Sequence, residues 1–396
     1  MLSEKAMGIS PSPTMSIDSK AKELKSKGIN VIGFGAGEPD FDTPPHIREA
    51  AIKAINEGHT RYTPAAGTPE LREAICDKLR TENGLEYSPS QIVVSNGAKH
   101  ALSNVFTALL NPGDEVMIPV PYWVTYPELV RLNSGLPIPV ETGAENNFRL
   151  TTAGLKKACS DRCKALVLNS PTNPSGQVCS EEDLTAIAEF CLEREIYIIS
   201  DEIYEHLIYG GHKHTSIAST SERAKELTVV VNGVSKSYAM TGWRIGYTAS
   251  APESAEVMAN IQSHTASNPN SIAQKAAVAA LRGPQDCVEE MRTAFDGRRR
   301  YMCDQINDIP LLDVLEPQGT FYMFVNVANL VGRSHGGQNI GGSDDFARLL
   351  LESYQVALVP GTGFGAPNYV RISFATSMDN IIEGLNRIRT FIGELD

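Results

Sequence analysis

The sequence has no Cys-x-x-Cys pair, no apolar run long enough to cross a bilayer and no surplus of basic residues. Its seven cysteines, Cys76, Cys159, Cys163, Cys179, Cys191, Cys287 and Cys303, are scattered, and no histidine completes a zinc-binding set with them. They read as reduced, mainly structural thiols, and no metal is expected. Lys and Arg number 35 against 47 Asp and Glu, a net charge of −12. Nucleic acid and anionic membrane both attract basic surfaces, so neither is an expected partner. The first residues lack the basic-then-apolar pattern of a secretion signal, and a cytoplasmic location is expected. Internal repeats are absent, and Gly336-Gly337 and Gly341-Gly342 mark one flexible loop.

What is present fits a folded protein. The hydrophobic fraction is 42% and the charged fraction 21%, ordinary values for a globular chain. At 396 residues the chain exceeds one small core and suits a large domain with a smaller one. Apolar spacing predicts helices over 46–57, 69–83 and 181–194, and continuous apolar runs at 165–169, 196–200 and 227–231 predict buried parallel strands. Long helices are expected over 252–282 and 284–308, and a last one from about Met378. The alternation of strand and helix predicts an α/β fold with a mostly parallel central sheet covered by helices. A smaller α+β domain is expected from the N-terminal arm and the C-terminal part. The expected boundaries are 1–45 for the arm, 46–285 for the large domain and 286–396 for the small one.

Four segments follow predicted strands, at the edge where open α/β sheets bind ligands. Lys236 follows the run 227–231 and a turn at Gly233; burial and a nearby cation such as Arg244 would free its amine as a nucleophile. Asp201 ends the run 196–200, and a buried carboxylate needs a protonated partner. Asn173 lies in Ser170–Gly176, where two prolines stiffen the turn. Gly97 and Ala98 open a helix after a strand, and free N–H groups at a helix start attract phosphate. Each has a bland explanation alone: a solvated loop lysine, a helix-capping aspartate, a Pro-Asn turn, an ordinary strand-to-helix link. Together they supply an amine, an acid, an amide and an anion cradle.

In this order, Ala36–Pro44, Tyr62–Gly67, Pro121-Tyr122-Trp123, Asn169–Gly176, Ser200–Tyr204, Ser235–Arg244 and Val370–Ser373 resemble the class I and II aminotransferases of pyridoxal-5′-phosphate (PLP) fold type I. The resemblance runs from about Ser12 to Arg389 and is strongest to the bacterial aspartate aminotransferase subgroup Ib. It implies that the larger domain binds PLP and that Lys236 carries the cofactor on its amine and then shuttles a proton at the substrate Cα. Asp201 is implied to pair with the ring nitrogen, and Tyr204 and Asn173 with the ring hydroxyl oxygen. Trp123 is implied to stack on the ring, and Gly97, Ala98, Lys99, Ser235 and Arg244 to hold the phosphate. Tyr62 is implied to reach the phosphate of a second subunit in a homodimer. Arg371 is implied to bind the substrate α-carboxylate, with Gly37 and Asn173 beside it. One departure is Gly233, where many relatives carry a Ser whose hydroxyl meets the phosphate.

The resemblance also implies ping-pong transfer of an amino group between L-aspartate and 2-oxoglutarate. Ser12, Thr14 and Lys99 match residues that meet a distal carboxylate; alternatively, Lys99 only neutralises phosphate and the arm is structural. Prephenate or a wider substrate range stays open. A PLP β-lyase or decarboxylase and a non-enzymatic regulator are the other classes. Arg371 with the arm residues favours transamination over the first, and the acidic charge speaks against the second.

Overall fold

The structure, a computed structural model, describes residues 2–11 and 13–396, with the backbone alone at positions 4, 13–16 and 18. After a helix at Pro13–Ser26, strand β1 (Ile32–Gly33) leads to helices Pro45–Asn56 and Pro69–Asn83. The second of these shows why the sequence stops where it does. Thr68 accepts a hydrogen bond from the Leu71 N–H at its start, and Gly84 adopts φ +66° after its end, the standard pairing of polar N-cap and left-handed glycine.

The central sheet comprises β2 (Ile92–Ser95), β3 (Glu115–Val120), β4 (Leu136–Glu141), β5 (Cys163–Asn169), β6 (Tyr197–Asp201), β7 (Thr228–Gly233) and β8 (Gly246–Ala249). Its order is β2-β8-β7-β6-β5-β3-β4. Only β8 runs antiparallel to its neighbours. Strand β7 is buried along its whole length, as expected where helices cover both faces. Val93, Phe106, Val116 and Ile199 belong to one apolar layer of the sheet. Met117, Leu166, Leu168 and Ile198 belong to another.

A second, antiparallel sheet lies in the C-terminal part. It contains β9 (Asp313–Val314) and β10 (Tyr322–Asn326), and after the small β11–β12 ribbon (Ser334–His335, Gln338–Asn339) and β13 (Val356–Ala357), also β14 (Val359–Pro360) and β15 (Tyr369–Ser373). The arm joins this part: β1 pairs in parallel with β13. Phe34 donates its N–H to Ala357 and accepts from the Ser373 N–H. Ile32 and Phe34 share a core with Phe295, Met302, Phe321, Phe346 and Phe391.

The expected helix over 252–282 is two helices, Pro252–Thr265 and Ser271–Arg282. Proline disfavours helix at the residue before it, and Pro269 follows Asn268 in the break. The Asn270 side chain then caps the second helix at the Ala273 N–H, 2.9 Å. The helix Thr125–Leu132, absent from the expectation, follows Trp123 directly. Among the described residues no helix is long and apolar enough to cross a membrane.

One buried ion pair ties the helix Pro69–Asn83 to the loop after β6. Lys78, with its side chain 2% exposed, donates to Glu205. Asn232 Nδ2 at 2.6 Å and Asn83 Nδ2 at 2.9 Å satisfy the same carboxylate. Burial disfavours the Glu205 anion, but Lys78, with His206 and His214, outweighs it and holds the carboxyl far below its ordinary range. Its folded-state value is depressed, so its contribution to stability is present near neutrality and declines only in acid. Lys78→Met should lower unfolding free energy by about 3–5 kcal/mol, because removing one partner strands a buried charge. Urea denaturation checks this; adding Glu205→Leu should restore most of the loss.

Candidate active site

Parallel pairing sets the C-terminal ends of β5 and β6 side by side, with Asn169 opposite Asp201. Lys236 lies just beyond the end of β7. A cavity of about 440 Å³ opens at this edge. Asp201, Tyr204, Ser235, Lys236 and Arg244 line it from the segments after β6 and β7. Ala98, Lys99, Trp123 and Asn173 line it from neighbouring strand ends, Gly37 from the arm and Arg371 from β15.

Lys236 is half-buried and donates from Nζ to the Gly37 carbonyl at 2.6 Å. Burial pushes its pKa down to about 8; Arg371 and Arg244 push the same way, while Glu38 and Asp201 oppose them. Its neutral amine is therefore far more accessible near neutrality than that of a surface lysine. Asp201 is 3% exposed. Its Oδ2 accepts the Tyr126 O–H at 2.7 Å and its Oδ1 the Ile203 N–H at 3.3 Å. Burial nevertheless raises its pKa to about 6. Among the described residues no Lys or Arg forms a contact ion pair with it.

Arg371 is 2% exposed at the middle of β15. It donates to Asn173 Oδ1 and to the Gly35 carbonyl, each at 3.1 Å. Its guanidinium carbon lies 4.1 Å from the centre of the Tyr322 ring. The buried Nε has no hydrogen-bond partner, and no carboxylate pairs with this arginine among the described residues. Asn173 is fixed through its N–H to Asn169 Oδ1, 2.8 Å. Tyr204 and Tyr322 share a hydroxyl contact of 3.2 Å.

The opposite end of the cavity is built for an anion. Gly97 precedes the helix Ala98–Leu109 at φ +85°. A Cβ there would stand 2.3 Å from Arg244 Nη2, so a larger residue would displace this guanidinium as well as strain the backbone. The first N–H groups of the helix have no intrahelical acceptor. Lys99 stands with Nζ 5.0 Å from the Trp123 ring centre. Burial, helped by Arg244, lowers its pKa.

Gly97, directly before Ala98, does not itself line the cavity, and Tyr62, 91% exposed, lies outside that of its own chain. Ser12 and the Thr14 side chain lie outside the described residues. Tyr126, Tyr322, Glu38 and Lys22 also line the cavity, and sequence reading missed them. Tyr126 stands one helical turn beyond the Trp123 motif, the only signal available for it.

Class I and II aminotransferases match as a family over residues 29–388. The chain belongs to that family. It is 50% identical to the aspartate aminotransferase of Bacillus subtilis over 391 residues, covering 99% of this chain and 98% of that one. It is 49% identical to a probable aspartate/prephenate aminotransferase of Aquifex aeolicus, covering 100% and 99%. The solved Thermus thermophilus aspartate aminotransferase with maleate superposes with a TM-score of 0.93 at 41% identity, covering 99% of both chains.

One expectation for this aminotransferase changes with the structure. Gly233 is not simply a missing phosphate hydroxyl. A Cβ there would meet the Ile245 carbonyl oxygen at 2.8 Å and Gly246 Cα at 2.9 Å. The β7–β8 contact leaves no room for a side chain. Gly233→Ser should therefore destabilise the fold by about 1–3 kcal/mol, the usual cost of overpacking, without tightening phosphate binding. Thermal unfolding and a phosphate titration check the two halves.

Proposed function

We propose that this aminotransferase uses PLP held by Lys236 and moves an amino group between L-aspartate and 2-oxoglutarate, yielding oxaloacetate and L-glutamate in ping-pong fashion. The observation that carries this reading is one cavity holding a lysine of lowered basicity, with a buried carboxylate and a buried arginine that pair with no opposite charge among the described residues. Those three fit PLP and an α-amino acid. When bound, PLP supplies an aldehyde for an amine and a protonated ring that draws electron density from the substrate Cα.

The chain's own residues do the rest. Asp201 accepts from the ring nitrogen and keeps it protonated, while Asn173 and Tyr204 serve the ring oxygen. Trp123 covers the ring face. Gly97, Ala98, Lys99, Ser235 and Arg244 meet the phosphate with N–H, hydroxyl and guanidinium donors. Arg371 takes the α-carboxylate in a two-point pair, with Asn173 and Gly37 beside it. Lys236 would hold the cofactor aldehyde and, with its amine free, would serve as general base for the Cα proton.

For the distal carboxylate we assign Lys99, joined by Ser12 and Thr14 of the arm. The Thermus relative solved with maleate supports a dicarboxylate. Prephenate also carries two carboxylates, and the Aquifex relative is named for both substrates. A panel of aspartate, glutamate, prephenate, aromatic amino acids and alanine separates these readings. We further propose division of the chain at 45/46 and 285/286, a cytoplasmic location, and a homodimer in which Tyr62 of one protomer reaches its partner's phosphate site. The exposure of Tyr62 supports the last.

Lys236→Ala should lower kcat by at least about 10³-fold, within the range for general-base loss, with unchanged far-UV circular dichroism. Retained turnover would refute the assignment. Lys99→Ala should raise KM for aspartate about tenfold, the worth of one charge-assisted hydrogen bond, while leaving KM for alanine nearly unchanged. Equal changes for both donors would remove Lys99 from the distal site.

A further inference from the structure

We propose that Tyr126 is the positioning residue that keeps Asp201 ionised and aimed at the ring-nitrogen end of the cofactor site. The proposal rests on the PLP reading above. Asp201 is buried at the end of β6, where a carboxylate is held ionised only by donors. Among the described residues, two donors reach it. The Ile203 N–H is at 3.3 Å, a long bond, and the Tyr126 O–H is at 2.7 Å. The tyrosine therefore carries most of the hydrogen-bond support.

Tyr126 is built to hold that place. It is 2% exposed and sits in the first turn of Thr125–Leu132. Its N–H bonds the Trp123 carbonyl at 3.0 Å, and its ring meets the Trp123 ring edge-on, centres 5.4 Å apart. One short segment thus fixes both the ring proposed to cover the cofactor and the donor behind its acid. Burial keeps the Tyr126 hydroxyl protonated far above neutrality, so it donates and Asp201 accepts. Two charged neighbours also act on Asp201, in opposite directions. Glu202, next in the chain, disfavours its ionisation and Lys236 favours it. Tyr204, in the segment beyond, carries its hydroxyl toward Tyr322. Tyr126 also lines a second cavity of about 340 Å³ behind the first, and with Asn169 and Asn173 it forms the wall between them.

The test compares PLP affinity of wild type and Tyr126→Phe from about pH 5 to pH 8, the span in which a raised carboxyl titrates. Wild-type affinity should fall as pH drops through about 6, the Asp201 value. In the Phe variant the fall should move up by about one pH unit, and affinity at neutral pH should drop about tenfold, as expected for losing a charge-assisted bond. kcat should fall with it, while KM for the amino donor stays within about twofold. On an Asp201→Asn background, Tyr126→Phe should have no further effect on the pH profile. Should the Phe variant not fold, 3-fluorotyrosine at position 126, a stronger donor of nearly equal size, should move the fall to lower pH. A wild type that binds no PLP overturns the functional reading. A wild type that binds PLP overturns the Tyr126 role alone if the variant titrates like it, or weakens equally at every pH.

Discussion

Parallel strand pairing is the constraint on which the site depends. Strands aligned in one direction end on one edge, so residues at their C-termini become neighbours however far apart they lie in sequence. Asn169, Asp201 and Lys236 meet in this way. The antiparallel β8 completes the set for the same reason. It begins where the others end, so Arg244, just before it, enters the same edge. Its first residue, Gly246, packs so closely that a Cβ would stand 2.2 Å from the Ala98 N. That approach brings the arginine to the start of the helix Ala98–Leu109.

The electrostatics of the cavity oppose those of the whole. A chain of net charge −12 gathers Lys22, Lys99, Lys236, Arg244 and Arg371 around one space, with Asp201 and Glu38 as its acids. Arginine keeps its charge under such crowding, whereas lysine yields a proton. Lys236 and Lys99 accordingly carry lowered basicity. Arg371 stays available for an incoming acid because its partners are an amide, a carbonyl and an aromatic face. A carboxylate beside it would satisfy the charge and compete with substrate.

Local signals were legible in the sequence. The helix Pro69–Asn83 announces itself through Thr68, Pro69 and Gly84, and the core strands through unbroken apolar runs. The motifs that line the cavity were legible because each is short and follows a strand. The break between the helices Pro252–Thr265 and Ser271–Arg282 was also written, in Pro269 and Asn270, but apolar spacing on either side masked it. Long-range pairings were not legible. Lys78 and Glu205 are 127 positions apart, and Tyr126 and Asp201 are 75 apart. Periodicity reports which face is buried, not which partner waits there. Lys78 gave one clue, a charge in the apolar stripe with Leu71 and Ala74.

The arm shows why the site needs both sheets. Its residues 34–37 are anchored to the second sheet through Phe34, which bonds Ala357 and Ser373. From that anchor the Gly35 carbonyl accepts from Arg371 and the Gly37 carbonyl accepts from Lys236. The carbonyls of residues 35 and 37 thus link the arginine of one sheet to the lysine that follows a strand of the other. The separation between the amine and the guanidinium is therefore set by a rigid stretch of backbone, and not by flexible side chains alone. On the proposed reading of Lys236 and Arg371, the arm thereby holds apart the two groups that would meet the cofactor and the substrate carboxylate.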